Sequence, residues 1–163
     1  MRRSVVICAF LFALAVPVTV AAAPADGTLV VKDGNAPKGT PVVVLVIKGA
    51  AIGQVTGSGK ILISDERPLD PYTPEVTGAD WQKEKGDDGM LWSGARGFRF
   101  RAVGGVYKIT IWGSGVDLVA SGTGSVFLTG SPDTPGRDGS YSLNGGDFKS
   151  LPAQTTRQLA IGG

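Results

Sequence analysis

Carboxylates, hydroxyls and aromatic rings are the groups in this sequence with chemistry to offer. There is no histidine, and the one cysteine, Cys8, lies in an apolar N-terminal run. Beyond that run, Ser-His-Asp relays, cysteine nucleophiles and His/Cys metal sites are therefore excluded. A serine nucleophile would need a lysine base, yet no lysine has a serine three residues before it, and there is no Gly-x-Ser-x-Gly elbow. Gly57-Ser58-Gly59-Lys60 has part of a phosphate-loop pattern. However, Gln54 stands where its first glycine belongs, Ile61 follows the lysine, and a strand continues from there, so this segment reads as a hairpin turn. Paired carboxylates are the one catalytic chemistry the composition permits, with Glu66, Glu75, Asp80, Glu84 and Asp117 as candidates for glycosidase-type acid/base work. All five also read as solubilising residues, and no catalytic residue is assigned. Asp117 stands out because its place within a strand could turn it inward, where it would need a partner such as Arg101 or Lys108. The loops Gly86–Gly89 and Ser131–Gly139 carry oxygen ligands but not the spacing of a calcium loop, so no metal or cofactor is expected.

Binding residues are easier to nominate. Tyr72, Trp81 and Trp92 fall in one irregular stretch and could form an aromatic platform for a sugar or peptide. The competing reading is that the tryptophans plug the open end of a β core. Arg99, Arg101 and Lys108, with Arg96 nearby, form a basic stripe that could meet an anionic polymer or could be a solvated sheet face.

These residues must be positioned by strands. The chain has 25 glycines, and short β-branched runs alternate with glycine turns. Strands are expected at Thr28–Lys32, Val42–Lys48, Ala51–Val55, Lys60–Ser64, Phe98–Val103, Val106–Trp112, Val116–Ala120, Ser125–Thr129 and Ser140–Leu143. The clearest hairpin is predicted around Gly104-Gly105, pairing Phe100 with Ile109 and Arg101 with Lys108. Val42–Ile47 is apolar on both faces and reads as a central, doubly covered strand. A candidate repeat aligns Ile47–Val55 with Ile111–Val119, and Gly57–Ser64 with Gly122–Thr129. Between the halves lies the long loop 65–97, in which Asp80–Lys85 and Met90–Ser93 could make a small hairpin.

The first residues have the layout of a secretory signal: Arg2-Arg3, an apolar run from Val5 to Val16, Pro17, and small residues ending at Ala23. Cleavage is expected after Ala22, which makes residues 1–22 the signal. The alternative is an uncleaved anchor, since Val5–Ala23 approaches the roughly 20 residues that span a bilayer. The chain carries 16 Lys+Arg and 14 Asp+Glu. Without Arg2 and Arg3 the two signs balance, so charge gives no reason to expect nucleic acid as a partner. Losing Cys8 leaves no disulfide, and the remainder must be held by burial and strand pairing. Leu151–Thr155 departs from a sortase signal at Gln154, and residues 156–163 read as a flexible tail.

Three segments, Phe98–Tyr107, Gly115–Leu118 and Gly139–Gly146, carry a resemblance. With them the second half resembles a group of small exported proteins of high-GC Gram-positive bacteria. The resemblance implies export and a β fold, and it brings no catalytic or binding residue with it. The expected protein is a single all-β domain over residues 23–155. It would be an antiparallel sandwich or barrel of about eight or nine strands, with two four-stranded repeats as one arrangement and a β-solenoid as the alternative. Its expected role is that of a monomeric, secreted or envelope-associated, non-catalytic structural or binding module. A cell-wall glycan and another envelope protein are the partner classes considered, and a carboxylate-dependent glycan hydrolase is the rival reading.

Overall fold

The computed structural model describes residues 26–86, 89–131, 138–153 and 157–162. The expected signal, Cys8, turn residues 87–88 and loop residues 132–137 lie outside them. Eleven strands follow in order: β1 Gly27–Gly34, β2 Val43–Val55, β3 Gly59–Asp65, β4 Glu75–Thr77, β5 Trp81–Glu84, β6 Met90–Gly94, β7 Phe98–Gly113, β8 Val116–Leu128, β9 Ser140–Leu143, β10 Lys149–Ser150 and β11 Arg157–Ile161. All pair antiparallel in one sheet, ordered β10-β9-β1-β8-β2-β7-β3-β6-β5, with β11 added to β8 and β4 to β7. The fold is all-β and sandwich-like. The sheet is not closed into a barrel, and antiparallel pairing throughout is not the parallel coil of a β-solenoid.

The nine expected strand segments are all found, but six of them merge into three long strands. Val42–Lys48 and Ala51–Val55 belong to β2, Phe98–Val103 and Val106–Trp112 to β7, and Val116–Ala120 and Ser125–Thr129 to β8. The predicted hairpin at Gly104-Gly105 is therefore absent. The chain runs straight through the two glycines, which together oppose the single residue Gly49 on β2: Lys48 pairs with Val106 and Ala50 with Val103. This is a β-bulge, with two residues on one strand facing one on the next. It inverts the inward phase of β7. Phe98, Phe100 and Ala102 point into the core before it, and Tyr107, Ile109 and Ile111 after it. The two apolar patterns that suggested facing strands are successive parts of one strand, and each pairs with β2.

A single sheet with no helix among the described residues can bury its inner face only by folding over itself. The fold line is visible in the register. Gly27, Gly122 and Gly49 lie directly opposite one another on β1, β8 and β2, with Gly104-Gly105 next in line on β7. Glycine here permits both a rare backbone shape and close approach. Gly49 and Gly122 have φ of 148° and 144°. A methyl on Gly49 would lie 2.2 Å from the Ser121 carbonyl oxygen, and one on Gly122 would lie 2.2 Å from that of Lys48. On one side of this crease Leu29, Val31, Ala51, Phe98, Phe100 and Leu118 point inward. On the other Leu45, Ile47, Ile61, Ile63, Ile109 and Leu128 do so, and all join one core.

The repeat alignment places Gly49 opposite Gly113, and the two share nearly the same φ, 148° and 145°. The halves nevertheless interleave: β2 from the first pairs along its length with β7 and β8 from the second, so they are not separate four-stranded units. β2 is central in the sheet but covered on one face only, because Val46 is 38% exposed on the outer side. The small hairpin in the 65–97 loop forms as β5 and β6 and extends the sheet beyond β3. The tail expectation fails. Residues 157–161 are β11, paired with Leu128–Gly124, and Ile161 is buried.

Candidate functional site

Strand register decides which aromatics meet. Trp112 on β7 lies opposite Lys60 on β3, Lys60 opposite Ser93 on β6, and Ser93 opposite Trp81 on β5. Directly opposed residues project from the same sheet face. The four side chains therefore form one row, with a tryptophan at each end and two polar groups between. Three inter-strand spacings separate the tryptophans by about 14 Å. Trp81 is half exposed and Trp112 partly exposed. The Lys60 ammonium lies over the Trp112 ring, 4.8 Å from its centroid.

This row lies along an open groove of about 670 Å³. The segment 36–40 also lines it, where Thr40 N–H donates to the Pro37 carbonyl at 2.9 Å and closes a turn with Gly39 at φ 88°. That segment follows Asn35, whose side chain donates to the Asp33 carbonyl at 2.7 Å and accepts from Gly115 N–H at 3.1 Å. Asp80 lines the groove beside Trp81 and accepts the Ala95 N–H at 2.6 Å, which fixes the bend after β6. Ser93 donates to the Gly59 carbonyl at 3.1 Å. The charged lining residues are Lys38, Lys60 and Asp80.

The expected platform of Tyr72, Trp81 and Trp92 is not one surface. Trp92 lies opposite Ile61 and Gln82 on the inner face, is only 9% exposed, and donates its indole N–H to Gln82 Oε1 at 3.0 Å. It is the core plug of the competing reading. Tyr72 is exposed but packs elsewhere, against Gly104, where a methyl would lie 2.6 Å from its ring. Its carbonyl accepts the Tyr107 hydroxyl at 3.3 Å. Trp81 alone of the three lines the groove. Trp112 and Lys60, its partners there, were not expected. The alternation of β7 marks Trp112 as outward-facing, but only three-strand register puts it level with Trp81.

A second cleft, about 410 Å³, has Asp65, Asp70, Tyr72, Glu84 and Trp92 in its lining. Asp65 and Asp70 each cap their own turn, accepting from Arg67 N–H at 2.8 Å and Tyr72 N–H at 2.9 Å. The buried Tyr107 phenol nearby is held above its ordinary range, by burial first and then by Asp65 and Asp70. The five carboxylates picked out from the sequence are dispersed. Asp80 is in the groove and Glu84 in this cleft. Glu75 lies opposite Arg101, and Glu66 follows β3, its N–H bonded to the Val106 carbonyl. Asp117 is on the outer face, accepting from Asp33 N–H and the Gln54 amide, each at 3.0 Å, rather than pairing with Arg101 or Lys108 as expected. No three acidic groups among the described residues are placed to hold a metal ion.

Arg99, Arg101 and Lys108 are all exposed on β7, but not opposite one another. Arg99 lies between Gln54 and Thr77, Arg101 between Ile52 and Glu75, and Lys108 between Val46 and Ser64, with the bulge separating the arginines from the lysine. The bulge's phase inversion keeps all three on the outer face.

No family model, curated protein or solved structure matches this chain. The groove has to be interpreted from its own chemistry.

Proposed function

We propose that this protein is a secreted or envelope-associated, non-catalytic binding module that holds a carbohydrate chain along the Trp81–Trp112 groove. The observation that carries the reading is the row itself, with two tryptophans level on one face, about 14 Å apart, and Lys60 and Ser93 between them. A sugar ring has a C–H face and a rim of hydroxyls. An exposed indole takes the first, and hydroxyl, ammonium and backbone groups take the second. The spacing suits a chain of several sugars rather than one. The groove is open, as a site for the middle of a polymer must be.

The test is a titration of intrinsic tryptophan fluorescence with soluble polysaccharides, both neutral and acidic. A saturable spectral change is expected. It should weaken at least tenfold in Trp81→Ala and in Trp112→Ala, and persist in Trp92→Phe, whose ring faces the core. No saturable change with any polysaccharide would sink the proposal and leave a structural role.

A further inference from the structure

The groove has an asymmetry that bears on which carbohydrate it takes. Its two tryptophans are not equivalent in the free protein. Trp81 is open, whereas the Lys60 ammonium already lies 4.8 Å from the centre of the Trp112 ring. A sugar that stacks on that face of Trp112 must first displace the ammonium. For a neutral sugar the displaced ammonium loses its attraction to the ring and gains at most a hydroxyl partner. For a sugar bearing a carboxylate it gains a charge-assisted hydrogen bond, which is the stronger contact of the two.

The remaining charges point the same way. Lys38 also lines the groove, in the turn closed between Pro37 and Thr40. Asp80, the one acidic residue among those lining the groove, spends Oδ2 on the Ala95 N–H beside Trp81, at the end of the row away from Lys60. A ligand with a negative group near the middle of the row would thus meet Lys60 in the row, with Lys38 as the second cation of the lining.

We propose that Lys60 makes the groove selective for acidic polysaccharides, moving from the Trp112 ring to a ring carboxylate of the bound chain. This rests on the glycan-binding reading above and adds the ligand's charge to it. Lys60 is a specificity-determining residue here, and the tryptophans supply the stacking shared by acidic and neutral chains.

The experiment uses the full chain and two probes that share a sugar backbone, polygalacturonate and its fully methyl-esterified, uncharged form, read by tryptophan fluorescence. Polyglutamate serves as an anion without sugar rings. Polygalacturonate is expected to bind about ten- to a hundredfold more tightly than the ester, the range of one charge-assisted hydrogen bond. The preference should shrink with added salt. In Lys60→Gln it should disappear, through loss of affinity for the acid with no loss for the ester. In Trp81→Ala both probes should weaken together. Equal binding of acid and ester by the unaltered chain would overturn the inference while leaving the glycan reading intact. Binding of polyglutamate as tight as polygalacturonate would overturn both, since the groove would then be a cationic patch. Failure of both glycans, with neutral polysaccharides also failing, would likewise remove both.

Discussion

Replacing Gly49 by alanine tests whether the crease is what lets the sheet fold over. Two costs can be read from the geometry. The first is conformational: φ is 148° at Gly49, a region L-residues avoid. Backbone strain of that kind is worth about 1–3 kcal/mol. The second is steric. The new methyl would lie 2.2 Å from the Ser121 carbonyl oxygen and 2.9 Å from the Gly122 Cα, both backbone atoms of the paired strand, so neither can yield by a side-chain rotation. Overpacking of this kind costs roughly another 1–3 kcal/mol. The sum, about 2–6 kcal/mol, is a large part of the 5–15 kcal/mol that typically stabilises a domain. Gly39→Ala separates the two costs. Gly39 also has positive φ, 88°, but nothing lies within 4 Å of its missing methyl. It should cost about 1–2 kcal/mol, the conformational part alone. The assay is urea unfolding followed by tryptophan fluorescence. Because Gly49 and Gly122 share one close approach, the double alanine variant should cost less than the sum of the singles. A Gly49→Ala protein no less stable than Gly39→Ala would refute the argument that close backbone approach sets the crease.

Two further outcomes follow from the packing. Ile161→Ala should destabilise by about 2–5 kcal/mol, the usual cost of truncating a buried isoleucine, because Ile161 is 1% exposed and opposite Gly124. A flexible tail would show no change in the thermal midpoint. Tyr107→Phe should change the alkaline limb of the stability profile. The Tyr107 phenol is held above its ordinary value, so the fold favours its neutral form. That stabilisation is whole below the unfolded value near pH 10 and is lost as pH rises through the raised folded value. Unfolding curves taken from pH 8 to 12 should fall less steeply in the phenylalanine variant, and parallel slopes would contradict the burial of that hydroxyl.

Strand content was legible because inward and outward residues alternate at period two, as Phe98-Arg99-Phe100-Arg101 does, and alternation survives whatever the strand is paired with. Connectivity was harder to read. Gly104-Gly105 meets the chemical requirements of a two-residue hairpin turn and also those of a bulge in a continuous strand, because both need glycine for its backbone freedom. Only the partner strand distinguishes them, and the partner, Gly49, lies more than fifty residues away. The same holds for Gly49 itself and for Gly122, each of which was read as a break between strands and is a crossing point within one. β11 was missed for a different reason. Arg157-Gln158-Leu159-Ala160-Ile161 has little β-branched character, and it is held as a strand by the free side of β8 beyond the crease.

The groove shows the limit of local reading most sharply. Choosing aromatics by their closeness along the chain groups Tyr72, Trp81 and Trp92, but the fold puts Trp81 in the groove and leaves Tyr72 and Trp92 to line the second cleft. Trp81 and Trp92 belong to adjacent strands, but they project from opposite faces because Trp92 opposes Gln82, one residue along from Trp81. A one-residue slip of β6 against β3, with β5 following it, would exchange their roles. What fixes the register is burial: Trp92 continues the inward row Ile111–Ile61–Trp92, and slipping the register would put that indole in water and Ser93 in the core. The core thus determines which tryptophan is left outside. By the same pairing, Lys60 and Trp112 are outward because Ile61 and Ile111 are inward. An outward row assembled in this way is set by strand register alone. It should tolerate substitution of its own side chains with little loss of stability, while truncation of Ile61 on the inner face should lower stability.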